Sequence, residues 1–140
     1  MAKRERNEAL ANVLLFSGCS RKELASIGAL TTEVEIPEGK VLAREGDAGR
    51  EFYVILEGKA TVTIGGRQVA TLGPGDFFGE MSLLDMGPRV ATVKAEEPME
   101  VAVLDPREFF TLLEEHPAVS RKILKGLASR LREAEKAPTH

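Results

Sequence analysis

The chain has one cysteine, Cys19, in 140 residues, so no internal disulfide can form. Histidine is nearly as scarce. His116 and His140 are the only two, and both lie outside the glycine-punctuated middle of the chain. A metal centre built on strands needs several converging histidine or carboxylate ligands, so no metal is expected. Cys19 and His116 have no visible third partner, which leaves no nucleophile, base and acid set and predicts no catalytic residue. Apolar runs stay well short of the roughly 18–20 residues needed to span a bilayer. Residues 1–8 are charged and lack the apolar core of a signal peptide. With a net charge of −3, nothing overall invites nucleic acid or a membrane surface. A cytoplasmic, soluble, non-enzymatic protein is expected.

What is present is ordinary globular material: 43% hydrophobic and 29% charged residues, at a length that suits one domain. Ser20 and Glu23 form a capping box before Leu24, Ile27 and Leu30 at helical spacing. Residues 12–16 form a short apolar segment that could pack beneath that helix. From Thr32 the period becomes two, with strands expected at 34–36, 41–43, 52–56, 60–64, 69–72, 90–95 and 99–104. Gly65-Gly66 suits a two-residue type I′ hairpin, where both central positions need φ > 0. Close strands with glycine-rich turns argue for a roll or barrel over a βαβ fold. Asp105, Pro106 and Glu108 then start a helix that stops near His116. Pro117 opens a second helix, through about Lys136, with Val119, Ile123, Leu124, Leu127, Ala128 and Leu131 on one face. Arg121, Lys122, Lys125, Arg130 and Arg132 are expected on one solvated face of it.

The most informative segment is Phe78-Gly79-Glu80-Met81-Ser82-Leu83-Leu84, followed by Pro88-Arg89-Val90-Ala91-Thr92-Val93. It sets one carboxylate and one guanidinium on either side of a short apolar turn. Such a segment can offer backbone N–H groups and an arginine fork to a small phosphate, while Glu80 accepts from hydroxyls beside it. A cyclic phosphate joined to a ribose 2′-OH carries both groups. The bland reading is a surface salt bridge between Glu80 and Arg89, worth about 0–1 kcal/mol. Phe77 and Phe78 read as core residues more readily than as ligand-stacking ones.

The full string Phe-Gly-Glu…Pro-Arg-x-Ala-Thr-Val resembles the phosphate-binding cassette of the cyclic nucleotide-binding domain family. The resemblance extends from about Leu14 to Leu131, through Glu45-Gly46-Asp47 and Phe52-Tyr53-Val54-Ile55-Leu56-Glu57-Gly58. It implies a mainly β, jelly-roll-like β-roll with flanking N- and C-terminal α-helices. The implied division is 1–31 as an N-terminal helical segment, 32–104 as the roll with its cassette at 78–93, and 105–140 as C-terminal helices. The implied ligand-binding set is Gly79, Glu80, Met81, Ser82, Arg89, Val90 and Ala91. Arg89 would meet the cyclic phosphate, Glu80 the ribose 2′-OH, and the N–H groups of Ser82 and Val90 the phosphate oxygens.

Family members tuned to cGMP tend to carry threonine where this chain has Val90, so cAMP is favoured and cGMP stays possible. Catabolite activators place an adenine-contacting Thr-Ser pair where Ala134-Glu135 stand here, which puts that contact in doubt. Bacterial regulators of this type carry a helix-turn-helix beyond the roll, and no such segment follows here, so no direct nucleic acid contact is expected. The apolar face of Ile123, Leu127 and Leu131 could pack on the roll, cover a bound base, or pair with a second chain. A homodimer through this helix and an effector protein are therefore the partners implied. Two alternatives stand beside the sensing reading: a roll kept only for protein interaction or dimerisation, and a metal-dependent cupin-type enzyme.

Overall fold

The computed structural model of the chain describes residue 16 and residues 18–136, with 134–136 as backbone only. Residues 12–15 of the apolar segment expected at 12–16, the charged residues 1–8, the side chains of Ala134 and Glu135, and residues 137–140 lie outside the described residues, while Phe16 is buried in the core with Leu24 and Ile27. Helix α1 (Arg21–Leu30) begins at the expected capping box. Ser20 Oγ accepts from the Glu23 N–H (3.1 Å) and Glu23 Oε1 accepts from the Ser20 N–H (2.9 Å). This fixes the helix start so that Leu24 and Ile27 turn into the core.

The strands are β1 (Thr32–Ile36), β2 (Val41–Ala43), β3 (Phe52–Glu57), β4 (Ala60–Ile64), β5 (Arg67–Leu72), β6 (Phe77–Phe78), β7 (Thr92–Ala95) and β8 (Met99–Leu104). They form two four-stranded antiparallel sheets, ordered β1-β8-β3-β6 and β2-β7-β4-β5. The first sheet is covered on both faces. Phe52, Val54 and Leu56 of β3 join Ala102 and Leu104 of β8 against the helices, while Ile55 and Val101 meet the second sheet. Burial on both faces explains why β3 is an unbroken apolar run without alternation. The β4–β5 hairpin turns at Gly65 (φ 60°) and Gly66 (φ 78°), the left-handed pair that a type I′ turn requires.

A short helix, α2 (Glu80–Asp85), follows β6. Helix α3 (Pro106–Glu115) opens with a second capping box between Asp105 and Glu108 and with proline in its first turn. Helix α4 (Pro117–Lys136) begins directly after His116, so the break expected at His116-Pro117 is real. The helix-side core is built on Phe52, Phe109, Ile27, Leu112 and Ile123, with the Phe52 and Phe109 rings 4.8 Å apart. Each fully buried side chain of this size contributes about 1.5–3 kcal/mol. Among the described residues no helix is long and apolar enough to cross a membrane.

The structure corrects several expectations. Residues 80–85 form a helix where the sequence suggested only a turn. Strand β7 starts at Thr92 instead of Val90, because the Arg89 backbone is already bonded elsewhere: its N–H donates to Asp47 O (2.9 Å) and its carbonyl accepts from the Gly46 N–H (2.8 Å). The apolar residues of α4 do not share one face. Val119 and Ile123 are buried and Leu127 packs on the core, whereas Leu124 and Leu131 are 62% and 61% exposed and Ala128 is exposed too. At about 100° per residue, positions 124, 128 and 131 sit roughly a quarter turn or more from the buried row.

On β8, Glu100 lies opposite Glu35 of β1 and Glu57 of β3 in the sheet register. Burial pushes its carboxyl pKa up, and the charges of Glu57, Glu33 and Glu35 push it further. A carboxyl whose pKa is higher folded than unfolded binds more protons in the native state, so stability falls as pH rises through that interval. Glu100→Gln should therefore stabilise the protein at pH 7, by up to about 1 kcal/mol given the size of facing-pair effects in sheets. The gain should shrink as the solution is acidified toward pH 4. Thermal melts of both proteins at pH 7 and pH 4 check this, and a mutant no more stable at neutral pH would contradict it.

Candidate functional site

A cavity of about 250 Å³ opens on the inner face of the second sheet, continuous with the core between the sheets. Ala43, Phe78 and Val93 belong to both. One wall is the β4–β5 hairpin, where Val62 and Ala70 sit directly opposite each other beside Ile64 and Leu72. The other wall is the segment from β6 to β7. All seven residues singled out in the sequence line the cavity: Gly79, Glu80, Met81, Ser82, Arg89, Val90 and Ala91.

Local structure explains how they converge. Gly79 has φ 98°, a left-handed conformation that carries the chain from β6 straight into α2. A Cβ there would come within 2.3 Å of the Glu51 carbonyl oxygen, so glycine is required twice over. Gly79 caps α2 without a side-chain hydrogen bond, and the first-turn N–H groups, which include that of Ser82, have no intrahelical acceptor. Beyond α2 the chain returns through Pro88, and the Glu45-Gly46-Asp47 turn clasps the Arg89 backbone on both sides. Thr92 Oγ1 accepts from the Glu45 N–H (2.9 Å), so its hydroxyl serves this clasp.

Glu80 and Arg89 are both buried, at 1% and 6% exposure, which rules out the surface salt bridge. Arg89 instead donates to two carbonyls, Gly79 O (3.3 Å) and Glu51 O (3.1 Å). Neutral acceptors fix the guanidinium without cancelling its charge. The ion-pair partner of Glu80 is Arg130 of α4, whose Nη1 donates to Glu80 Oε1 and whose Nη2 donates to the Phe77 carbonyl. The same guanidinium sits 4.5 Å over the centre of the Phe77 ring.

Arg130 therefore does not share a solvated face with its basic neighbours. It lies nine positions from Arg121, about half a turn around the helix, and seven from Ile123, nearly the same direction. That spacing was the available signal, since a basic residue there lies in line with the buried row. The hairpin wall carried no comparable signal, because Val62, Ile64, Ala70 and Leu72 read as ordinary strand residues. Phe77 and Phe78 are core residues as expected, and Phe78 stacks on Tyr53 with ring centres 4.6 Å apart.

Cys19 and His116 do not line this cavity. Burial pushes the Cys19 thiol pKa up, which disfavours the thiolate a nucleophile needs. His116 is buried at the end of α3, with Ser26 Oγ 3.4 Å from its Nε2. Among the described residues no group of three or more histidine, cysteine or acidic side chains could hold a metal ion.

Comparison with known proteins places the chain in a family. The model of the family described as "Cyclic nucleotide-binding domain" matches residues 33–116. The chain is 36% identical over 126 residues to the "Cyclic AMP receptor protein" of Thermus thermophilus, covering 86% of this chain and 58% of that protein. It is 45% identical over 95 residues to a cAMP-dependent protein kinase regulatory subunit of Yarrowia lipolytica, covering 66% of this chain and 24% of the relative. Its fold superposes with a TM-score of 0.78 on the regulatory domain of Toxoplasma gondii PKA co-crystallised with cAMP. There the identity is 25%, and the match covers 91% of this chain and 50% of that one. In each case the chain spans less than two thirds of the relative's length.

Proposed function

The chain belongs to the cyclic nucleotide-binding domain family, and from that premise we propose that it is a non-catalytic sensor that takes cAMP in preference to cGMP. The observation that carries this reading is the convergence, in one cavity, of a buried guanidinium, a buried carboxylate and an apolar wall. Arg89 meets the cyclic phosphate, helped by the N–H groups of Ser82 and Val90, at the end of the cavity where α2 begins. Glu80 accepts from the ribose 2′-OH. Its carboxylate has two oxygens and about four acceptor sites, so pairing Oε1 with Arg130 leaves Oε2 for the sugar. The base lies against Val62, Ile64, Ala70 and Leu72.

Val90, half exposed at the cavity, has no hydroxyl for a guanine amino group. Leaving such a group unpaired costs about 1–3 kcal/mol, while adenine is accepted without that bond. The roll acts as the receiving unit and α3 with α4 as the responding one. Closure of α4 over the cassette is favoured by the ligand, so binding biases the helix position. The exposed Leu124 and Leu131 are where a second copy of this chain or an effector protein would read that position.

Calorimetric titration with cAMP and cGMP tests the ligand. The expected result is binding of both, with cGMP about 5- to 150-fold weaker for a difference of about 1–3 kcal/mol. Titrations without heat or saturation for either nucleotide would leave only the interaction module. Hydrogen exchange with and without cAMP tests the helix. Protection should rise around residues 80–89 and again across 123–131, and a response confined to the first segment would remove α4 from the mechanism.

A further inference from the structure

Gly49, in the loop between β2 and β3, lies against Arg89. It has an ordinary backbone φ, outside the left-handed range, so no turn geometry demands glycine there. Space does. A Cβ at this position would stand 2.3 Å from Arg89 Nε and 2.9 Å from both Cζ and Nη2. All three atoms belong to one side chain. At Gly79 the situation differs, because an added Cβ would strike the Glu51 main chain and the φ of 98° is itself unsuitable. An alanine at 49 is therefore tolerable to the backbone and intolerable to the guanidinium as placed.

We propose that Gly49 is the positioning residue for Arg89, its missing side chain being what lets the guanidinium lie between the Glu51 and Gly79 carbonyls and line the ligand cavity. The inference rests on the reading of Arg89 as the phosphate partner. Nη2 is both the atom bonded to Glu51 O (3.1 Å) and one of the atoms a Cβ would displace. Arg89 also lines a second cavity of about 230 Å³, together with Ala48, Gly49 and Glu51. A displaced Arg89 thus has open volume nearby, so the chain relieves the clash by turning the side chain out of register instead of unfolding.

The test is a cycle of Gly49→Ala and Arg89→Ala, with Gly73→Ala as the control, since Gly73 also has an ordinary φ and nothing within 4 Å of an added Cβ. Calorimetric titration with cAMP should show Gly49→Ala binding at least tenfold more weakly than wild type, and Gly73→Ala within twofold. Thermal melts without nucleotide give an independent readout. Gly49→Ala should lower the midpoint in the wild-type background and leave it unchanged or higher once Arg89 is alanine, because the clash leaves with the guanidinium. Folding of the double variant where Gly49→Ala alone fails to fold would support the proposal equally.

Equal destabilisation in both backgrounds, failure of both variants to fold, or cAMP affinity of Gly49→Ala within twofold of wild type would overturn it. Should wild type bind no cyclic nucleotide, the phosphate reading falls, and the melting cycle still decides whether Gly49 places Arg89.

Discussion

Arg89→Ala should weaken cAMP binding by roughly 30- to 1000-fold while leaving the roll folded. The estimate follows from losing a charge-assisted, two-pronged contact inside a half-buried cavity, worth about 2–4 kcal/mol. Arg130 also lines the cavity, but its fork is committed to Glu80 and Phe77 O, so it does not replace the lost cation. The protein itself loses two hydrogen bonds to the Gly79 and Glu51 carbonyls, at about 1 kcal/mol each, and should melt a few degrees lower. Titration calorimetry paired with a thermal melt separates the two effects. A folded mutant that binds cAMP as wild type does would show that Arg89 is not the phosphate partner.

Arg130→Ala should cost more stability than the exchange of any other basic residue on α4. It strands a carboxylate that is almost fully buried and removes the cation from the Phe77 ring. Removing one partner of a fully buried pair costs about 3–5 kcal/mol. The Arg130 side chain is 41% exposed, and water entering in its place reduces the expected loss to about 1–3 kcal/mol. Adding Glu80→Gln should recover part of that loss, because the stranded charge is then gone. Denaturant unfolding of the two single variants and the double variant reads this coupling directly. Purely additive losses would mean that Glu80 and Arg130 do not stabilise one another.

Much of the architecture was legible because it rests on local chemistry. The two capping boxes, the Gly65-Gly66 hairpin and the break at His116-Pro117 each depend on a few adjacent residues whose conformational demands are narrow. The roll followed from strand spacing, and the cassette residues from their string and its resemblance to a known family. Helix α2 was hidden because six residues are too few to show a 3.6-residue period, and its start depends on a glycine conformation that also suits a turn. The cavity wall was hidden for another reason. Whether Val62 or Leu72 meets a neighbour or an open space depends on what the opposite sheet places there, and no local pattern encodes that. Arg130 was misplaced because its charge suggested solvent, although its position suggested the seam. The long apolar part of arginine lets it serve both, lying along Phe77 while its fork reaches Glu80.

Gly126 stands one helical turn before Arg130, and a Cβ there would come within 2.7 Å of the Phe77 ring. A glycine inside a helix costs roughly 1 kcal/mol relative to alanine, and here the Phe77 ring occupies the space that an alanine methyl would need. Phe77 is thus a single cog tooth seated in a notch one residue wide. Moving α4 by one position, about 1.5 Å along its axis with a turn of about 100°, would bring Lys125 or Leu127 against the ring, and neither fits the gap that a hydrogen atom fills. Intermediate registers are therefore closed to the helix. Any rearrangement of α4 on the roll would have to lift clear and reseat, so it would be a step between separate seats and not a graded slide.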